Sequence, residues 1–396
     1  MNIAVQRFVP RLFLDLPDTH MSILLSLLAI ATLSLLFVTL FKEGLTKRTR
    51  ILRRTPIQRT VRDQNDLVLV LGGAGYVGSS LVRTLLGAGR RVRVVDNLVY
   101  GDDAVRELRA HPNFEFRAGD CRKIQDMIAA MEGVDSIVHL AAIVGSLACE
   151  VNAHTALEVN SSATRMLIEV AKYNDVRRFI FASSCSVYDF TGGLIDENSF
   201  VEPVSLYTQS KLKSEHDLLI AASNSFHPVI LRLAAGCGFS NRPRFDLIAN
   251  LLTAMAYEEG SMTIFNGNQW RPFVHVQDIA AGIVNVLDAP LSVVSGEVFN
   301  LGDNRMNHTL RQLANEIRSF VPGVLIRHAS TSDAQGYRVC FDKIRNKVGF
   351  SCAYTLGDAI SSVCHALDRN VITDYTDFRY YNQKYLHRSQ NRMSAS

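Results

Sequence analysis

Apolar and polar positions along this chain fall into short blocks that repeat with two different spacings. Leu67-Val68-Leu69-Val70-Leu71 is an unbroken apolar run with polar residues before it and glycine after it, as in a strand buried on both faces. From Tyr76 to Leu86 the spacing becomes helical and stops at Gly87 and Gly89; Arg91-Val92-Arg93-Val94-Val95 is then a second strand ending at Asp96. Further strands are predicted at Asn113–Phe116, Ser136–Ala142, Arg178–Ser184 and Val229–Leu233. Helices are predicted at about Arg122–Met131, Glu158–Lys172 and Tyr207–Ala222. Such alternation implies an α/β fold, a doubly wound parallel sheet that takes its ligand at the carboxyl ends of the strands.

Beyond Gly238 the pattern loosens. Phe245–Tyr257 reads as a helix, Met262–Phe265 as a strand and Asn266-Gly267 as a turn; Thr309 with Gln312 reads as a capping box for a helix through Ser319. These pieces predict a smaller substrate-binding lid. The organisation is therefore 66–238 for the main sheet domain and 239–373 for the lid, with elements returning to the sheet around 275–302. The tail, 374–396, is expected to be partly ordered at best.

Met21 to Phe41 has no charged residue. About 21 helical residues rise roughly 31 Å, the thickness of a bilayer core, so 21–41 is expected to be a transmembrane helix. A secretory signal would start with a short basic region and end in small residues, and neither is here. Lys42, Lys47, Arg48, Arg50, Arg53, Arg54, Arg59 and Arg62 crowd the linker 42–65, whereas the flank 1–20 carries Arg7 and Arg11 against Asp15 and Asp18. The positive-inside rule predicts a single-pass membrane protein with everything after Phe41 in the cytoplasm.

Composition narrows the classes further. The net charge is +4 with 20% charged residues, and much of the excess sits in that linker, so no affinity for nucleic acid is implied. Seven scattered cysteines without a C-x-x-C pair argue against a disulfide framework and against a metal site.

The chemistry concentrates in two places. Gly72-Gly73-Ala74-Gly75-Tyr76-Val77-Gly78 joins strand to helix, and Asp96 stands at the end of the next strand. A glycine turn lets backbone approach a pyrophosphate, the helix N-terminus offers unpaired N–H groups, and the acid can hold a ribose diol. Asp96 would repel a 2′-phosphate, which favours NAD over NADP, although Arg91 and Arg93 lie close in sequence. Second, Tyr207 and Lys211 are four apart on a helix and so share a face. A cation beside a phenol favours the phenolate and makes it a usable base. Ser184, at the end of the strand Arg178–Ser184, aims a hydroxyl at the same crevice.

From Leu67 to about Phe350 the chain resembles the extended short-chain dehydrogenase/reductases, specifically the NAD-dependent nucleotide-sugar epimerase/dehydratase family. The resemblance rests on the glycine turn, Asp96-Asn97-Leu98, Gly119-Asp120, His139-Leu140-Ala141-Ala142, Asn160, Ser183–Tyr188, Tyr207 with Lys211, and Arg271-Pro272-Phe273-Val274-His275-Val276. It implies a Rossmann-like fold with NAD held by Gly72, Gly75, Tyr76, Val77, Gly78, Asp96, Asn97, Asp120, Cys121, Ala141, Ala142, Asn160, Tyr207 and Lys211. Tyr207 would be the base, its pKa lowered by Lys211, with Ser184 assisting. Ser184 and Arg271 would bind the nucleotide-sugar substrate, Arg271 through its phosphates. His275 and Asp278 are expected to be a packed histidine and a helix cap.

Two departures bear on the reaction. Family dehydratases carry Asp-Glu directly after the catalytic Ser or Thr, and here those places hold Cys185 and Ser186. After Arg232 the chain reads Leu233-Ala234-Ala235-Gly236, with alanine where many epimerases have a substrate-binding asparagine. The expected function is NAD-dependent epimerisation of a nucleotide sugar at C4. The alternatives are a dehydrogenase or reductase with net turnover, and a membrane-anchored NAD-binding protein without catalysis. A homodimer through the helices Glu158–Lys172 and Tyr207–Ala222 is a further expectation.

Overall fold

The structure is a computed structural model that describes residues 67–188, 193–329 and 336–393. The expected bilayer span 21–41, with the flank 1–20 and the linker 42–65, lies outside the described residues. Among the described residues no helix is long and apolar enough to cross a membrane.

Two-sided burial accounts for the unbroken apolar run of β1 (Leu67–Leu71), all five of whose residues are buried. Leu67, Leu69 and Leu71 belong to one core layer with Met127, Leu167 and Val170. Val68 and Val70 belong to the opposite layer with Leu81, Leu85 and Ile283. Each buried Leu or Val contributes on the order of 1.5–3 kcal/mol, so a polar residue at any of these five positions would be costly on either face.

Next come α1 (Tyr76–Gly87), β2 (Arg91–Asp96), β3 (Phe114–Ala118), α2 (Ile124–Met131) and β4 (Ser136–His139). They are followed by α3 (Ala163–Tyr173), β5 (Arg178–Ser184), α4 (Leu206–Ala221), β6 (His227–Leu233), α5 (Ile248–Glu259), α6 (Val276–Asp288) and β7 (Val298–Leu301). The seven strands pair in parallel in the order β7-β6-β5-β4-β1-β2-β3. The order reverses between β1 and β4, and a crevice opens there above the carboxyl ends. β7 is the strand by which the chain returns to the sheet from the smaller part.

That smaller part has a three-stranded sheet of Ala235–Cys237, Trp270–His275 and Asn307–Thr309. Its own core holds Met262, Ile264, Phe273, Leu313 and Ile317. The Thr309–Gln312 capping box forms and heads a helix, Leu310–Phe320. His275 takes the cap of α6 that was expected of Asp278: its Nδ1 accepts from the Gln277 N–H, while Asp278 accepts from the Ala353 and Tyr354 N–H groups.

Two expected helix starts change. Where one helix from Glu158 was expected, Glu158–Ser162 is a turn of π-helix before α3 begins at Ala163. The helix expected from Phe245 begins at Ile248, because Phe245 is turned into a cluster with Tyr375 and Tyr380. That cluster also gives the tail an ordered part. Phe378–Tyr380 is a 3₁₀ turn and Asn382–Met393 a helix, α7, anchored by the Phe245 N–H donating to the Tyr380 carbonyl at 3.0 Å.

Candidate active site

The turn after β1 is shaped by backbone crowding. Gly72 has φ +83°, and a Cβ there would lie 2.6 Å from the Ala141 nitrogen; a Cβ on Gly78 would lie 2.3 Å from the Gly72 oxygen. No side chain caps the N-terminus of α1 behind Gly75, so its first N–H groups face the crevice without a side-chain acceptor. Gly78→Ala is therefore expected to force the turn open and weaken NAD binding by about tenfold or more, measured by NADH fluorescence titration. Wild-type affinity in that variant would show the turn does not carry the ligand.

A cavity of about 480 Å³ runs over this turn and along the strand ends. That is a size ordinary for cofactor sites. Gly72, Gly75, Tyr76, Val77, Gly78, Asp96, Asn97, Cys121, Ala141 and Ala142 line it, and so do Ser184, Tyr207 and Lys211. Asp96 is tied to the turn, accepting from the Ala74 N–H at 3.0 Å and the Leu98 N–H at 2.9 Å. Burial raises its pKa against those two bonds. Arg93 is committed elsewhere: it is buried, pairs with Glu115 and donates to the Ala130 and Glu132 carbonyls. The ring of Tyr76 props the lid by donating its hydroxyl to the Gly238 carbonyl at 2.8 Å.

The acid–base group is built by two elements. Ser205 caps α4, accepting from the Thr208 N–H, which places Tyr207 in the first turn and Lys211 one turn later. Lys211 reaches across to β5, where its Nζ donates to the Ala182 carbonyl at 2.8 Å and lies 4.7 Å above the Phe181 ring. Burial lowers its pKa to about 8. Burial also pushes the Tyr207 phenol up to about 12; the charge of Arg244 and a hydrogen bond with Ser184 oppose the rise. The expectation that Lys211 lowers the Tyr207 pKa is not met in this arrangement. The ammonium lies 5.9 Å from the Tyr207 ring centre and points to a carbonyl, so desolvation of the phenol dominates.

Three predicted site residues lie elsewhere. Asn160 is fully buried behind the cavity wall, where its amide both accepts from the Ile143 N–H (2.8 Å) and donates to the Ile143 carbonyl (2.9 Å). It positions the loop after β4 from within the π-helical turn. Asp120 does not line the cavity; Arg122 holds its carboxylate at 2.6 Å, and it is Cys121 and Arg122 that reach the wall. Arg271 sits in a second hollow of about 410 Å³ with Thr263, Phe265, Gln269 and Leu310. Leu247, just before α5, lines the first hollow, and Ile248, at its start, lines the second.

Sequence reasoning missed Tyr100, Arg242, Arg244, Asp246, Asn382 and Leu386, all of which line the cavity. The signal was present in Arg242-Pro243-Arg244-Phe245-Asp246, a dense charged stretch in an otherwise apolar neighbourhood. Arg244 and Asp246 form a two-contact ion pair at 2.8 and 2.9 Å.

Glycines that a Cβ would block, an uncapped helix N-terminus and a carboxylate in the same cleft fit a dinucleotide. Comparison with known proteins agrees. An uncharacterized UDP-glucose epimerase of Bacillus subtilis, YtcB, is 30% identical over 249 residues, 59% of this chain and 76% of that protein. A dTDP-glucose 4,6-dehydratase of Streptomyces niveus is 29% identical over 315 residues, 74% of this chain and 90% of that one. The solved structure of MoeE5 with UDP-glucuronic acid and NAD superimposes with a TM-score of 0.67 at 25% identity, covering 77% of this chain and 99% of its own. The family model for NAD dependent epimerases and dehydratases matches residues 68–302. The chain therefore belongs to the NAD dependent epimerase/dehydratase family, as an enzyme with NAD as its cofactor.

Proposed function

We propose that the protein epimerises a nucleotide sugar at C4. The observation that carries this reading is the pairing of Ser184 and Tyr207 at one end of the cleft without an acid–base pair beside them. Cys185 is buried, with its thiol turned to the Arg232 carbonyl and its pKa driven up by burial. Ser186 is bonded to the Ser184 hydroxyl at 2.8 Å. Neither residue can supply the carboxyl groups that loss of water from a sugar calls for, so dehydration is disfavoured.

Gly72, Gly78 and the start of α1 would hold the NAD pyrophosphate, Asp96 the adenosine ribose and Lys211 the nicotinamide ribose. When bound, NAD supplies the hydride acceptor and, after the ring has turned, the donor. Tyr207 takes the hydroxyl proton of the sugar and later returns it. Ser184 holds that oxygen. Because the phenol is held near 12 by burial, its proton loss depends on positive charge gathered nearby, which Arg244 supplies. Arg271, in the second hollow, suits the phosphates of the sugar nucleotide, and the relatives' UDP-sugars support a uridine nucleotide. The membrane anchor at 21–41, with the catalytic part cytoplasmic, belongs to the same proposal on the charge of its flanks.

The test is incubation of the full chain with UDP-glucose, UDP-glucuronate and dTDP-glucose, with products read by NMR and NADH by absorbance. The expected result is a C4 epimer formed without added NAD and without NADH build-up. Stoichiometric NADH would replace the epimerase reading with net redox turnover.

A further inference from the structure

The tail returns across the mouth of the cofactor cleft, and two polar atoms there have no partner. The Asn382 N–H donates to the Asp246 carboxylate at 3.2 Å, and the Tyr385 ring meets the Tyr100 ring edge-on at 5.3 Å. Asn382 and Leu386 line the cavity together with Tyr100 and Arg242. Asn382 is 3% exposed, yet its Oδ1 accepts no hydrogen bond, and the buried Tyr100 hydroxyl likewise makes none. Buried polar atoms are ordinarily satisfied, so two orphans on one cavity wall mark a place that a ligand completes. The Arg242 guanidinium lies 4.2 Å above the Tyr100 ring, and burial lowers its pKa to about 10 without removing its charge at neutral pH.

The three groups together describe a ligand. A phenol O–H and a guanidinium donate to anionic oxygens, and an amide oxygen accepts from a hydroxyl. A diphosphate joined to ribose carries both. Tyr100 stands on the loop that leaves β2, four residues after Asp96, which puts this set on the adenosine side of the cleft.

We propose that the C-terminal segment Phe378–Met393 is a structural part of the NAD site. It closes over the bound dinucleotide, with Tyr100 and Arg242 serving its pyrophosphate and Asn382 a ribose hydroxyl, and it slows release of the cofactor. The inference rests on NAD being the cofactor and not on the choice between epimerisation and net redox.

The test measures NADH dissociation from the full chain by chasing bound NADH with excess NAD and following fluorescence, with no sugar present. Three variants are compared: Asn382→Ala, Tyr100→Phe and a chain ended after Asp377. Dissociation is expected to quicken about tenfold in the shortened chain and several-fold in each point variant, since losses of this kind fall mainly on the off-rate. The nucleotide-free point variants should unfold at the wild-type temperature, which separates a lost ligand contact from damage to the fold. In the wild type, NAD should also slow tryptic cleavage after Lys384. Unchanged dissociation in both point variants overturns the proposal, as does protection of Lys384 by UDP but not by NAD. Failure of the wild type to bind NADH at all would instead strike the cofactor assignment itself.

Discussion

Tyr207→Phe is expected to lower kcat by about 10²–10⁴-fold while leaving NADH affinity unchanged. The substitution removes one oxygen and keeps the ring, which packs with Cys149 and Ala156 beneath the cleft. Only proton transfer is lost. A hydroxyl buried with Ser184 for company contributes little to the fold, so the melting temperature should move slightly. The decisive measurement is single-turnover kinetics with a nucleotide sugar the wild type converts. If the variant keeps wild-type turnover, Tyr207 is not the base, and the mechanism fails with it.

Glu215→Ala is expected to cost about 3–5 kcal/mol of stability, through a charge that loses its counter-ion inside the protein. The Glu215 and Arg232 side chains are 4% and 8% exposed and meet at 2.6 Å. Arg232 also donates to the Tyr188 hydroxyl at 3.0 Å, and that hydroxyl donates to Asn300 at 2.6 Å. The Ser183 hydroxyl donates to the same carboxylate, so the network ends one residue from Ser184. Removing Glu215 strands the guanidinium without a counter-ion and frees the strand end that carries Ser184. Urea unfolding should show the loss, and Glu215→Leu combined with Arg232→Met should recover much of it. A loss under about 1 kcal/mol for the single variant would mean that water or another group satisfies Arg232.

The regular parts of the molecule were legible because their causes are local. Leu67–Leu71 must be buried on both faces whatever surrounds it, and Thr309 with Gln312 caps its helix with bonds made three residues apart. Gly78 owes its identity to contacts within its own turn. Residues whose surroundings were not legible depend on partners far away in sequence. Asn160 takes its orientation from Ile143, and Arg271 opens onto a hollow shared with Thr263 and Leu310. Tyr207 and Lys211 share a helix face as their spacing requires, but spacing says nothing of the Ala182 carbonyl that draws the ammonium aside.

The sequence by itself determined the alternation of strand and helix, the glycine turn facing an acid, and the trio Ser184, Tyr207 and Lys211. The first follows from periodicity, the others from glycine spacing, a helical spacing of four and the places of Asp96 and Ser184 at strand ends. Only the tertiary structure decided that Arg242, Arg244 and Asp246 reach the cleft and that Asn382 and Leu386 come back to it from the tail. It also decided how far burial shifts the Tyr207 phenol. Those outcomes depend on desolvation and on contacts between segments more than a hundred residues apart, and neither leaves a repeating trace in the order of the amino acids.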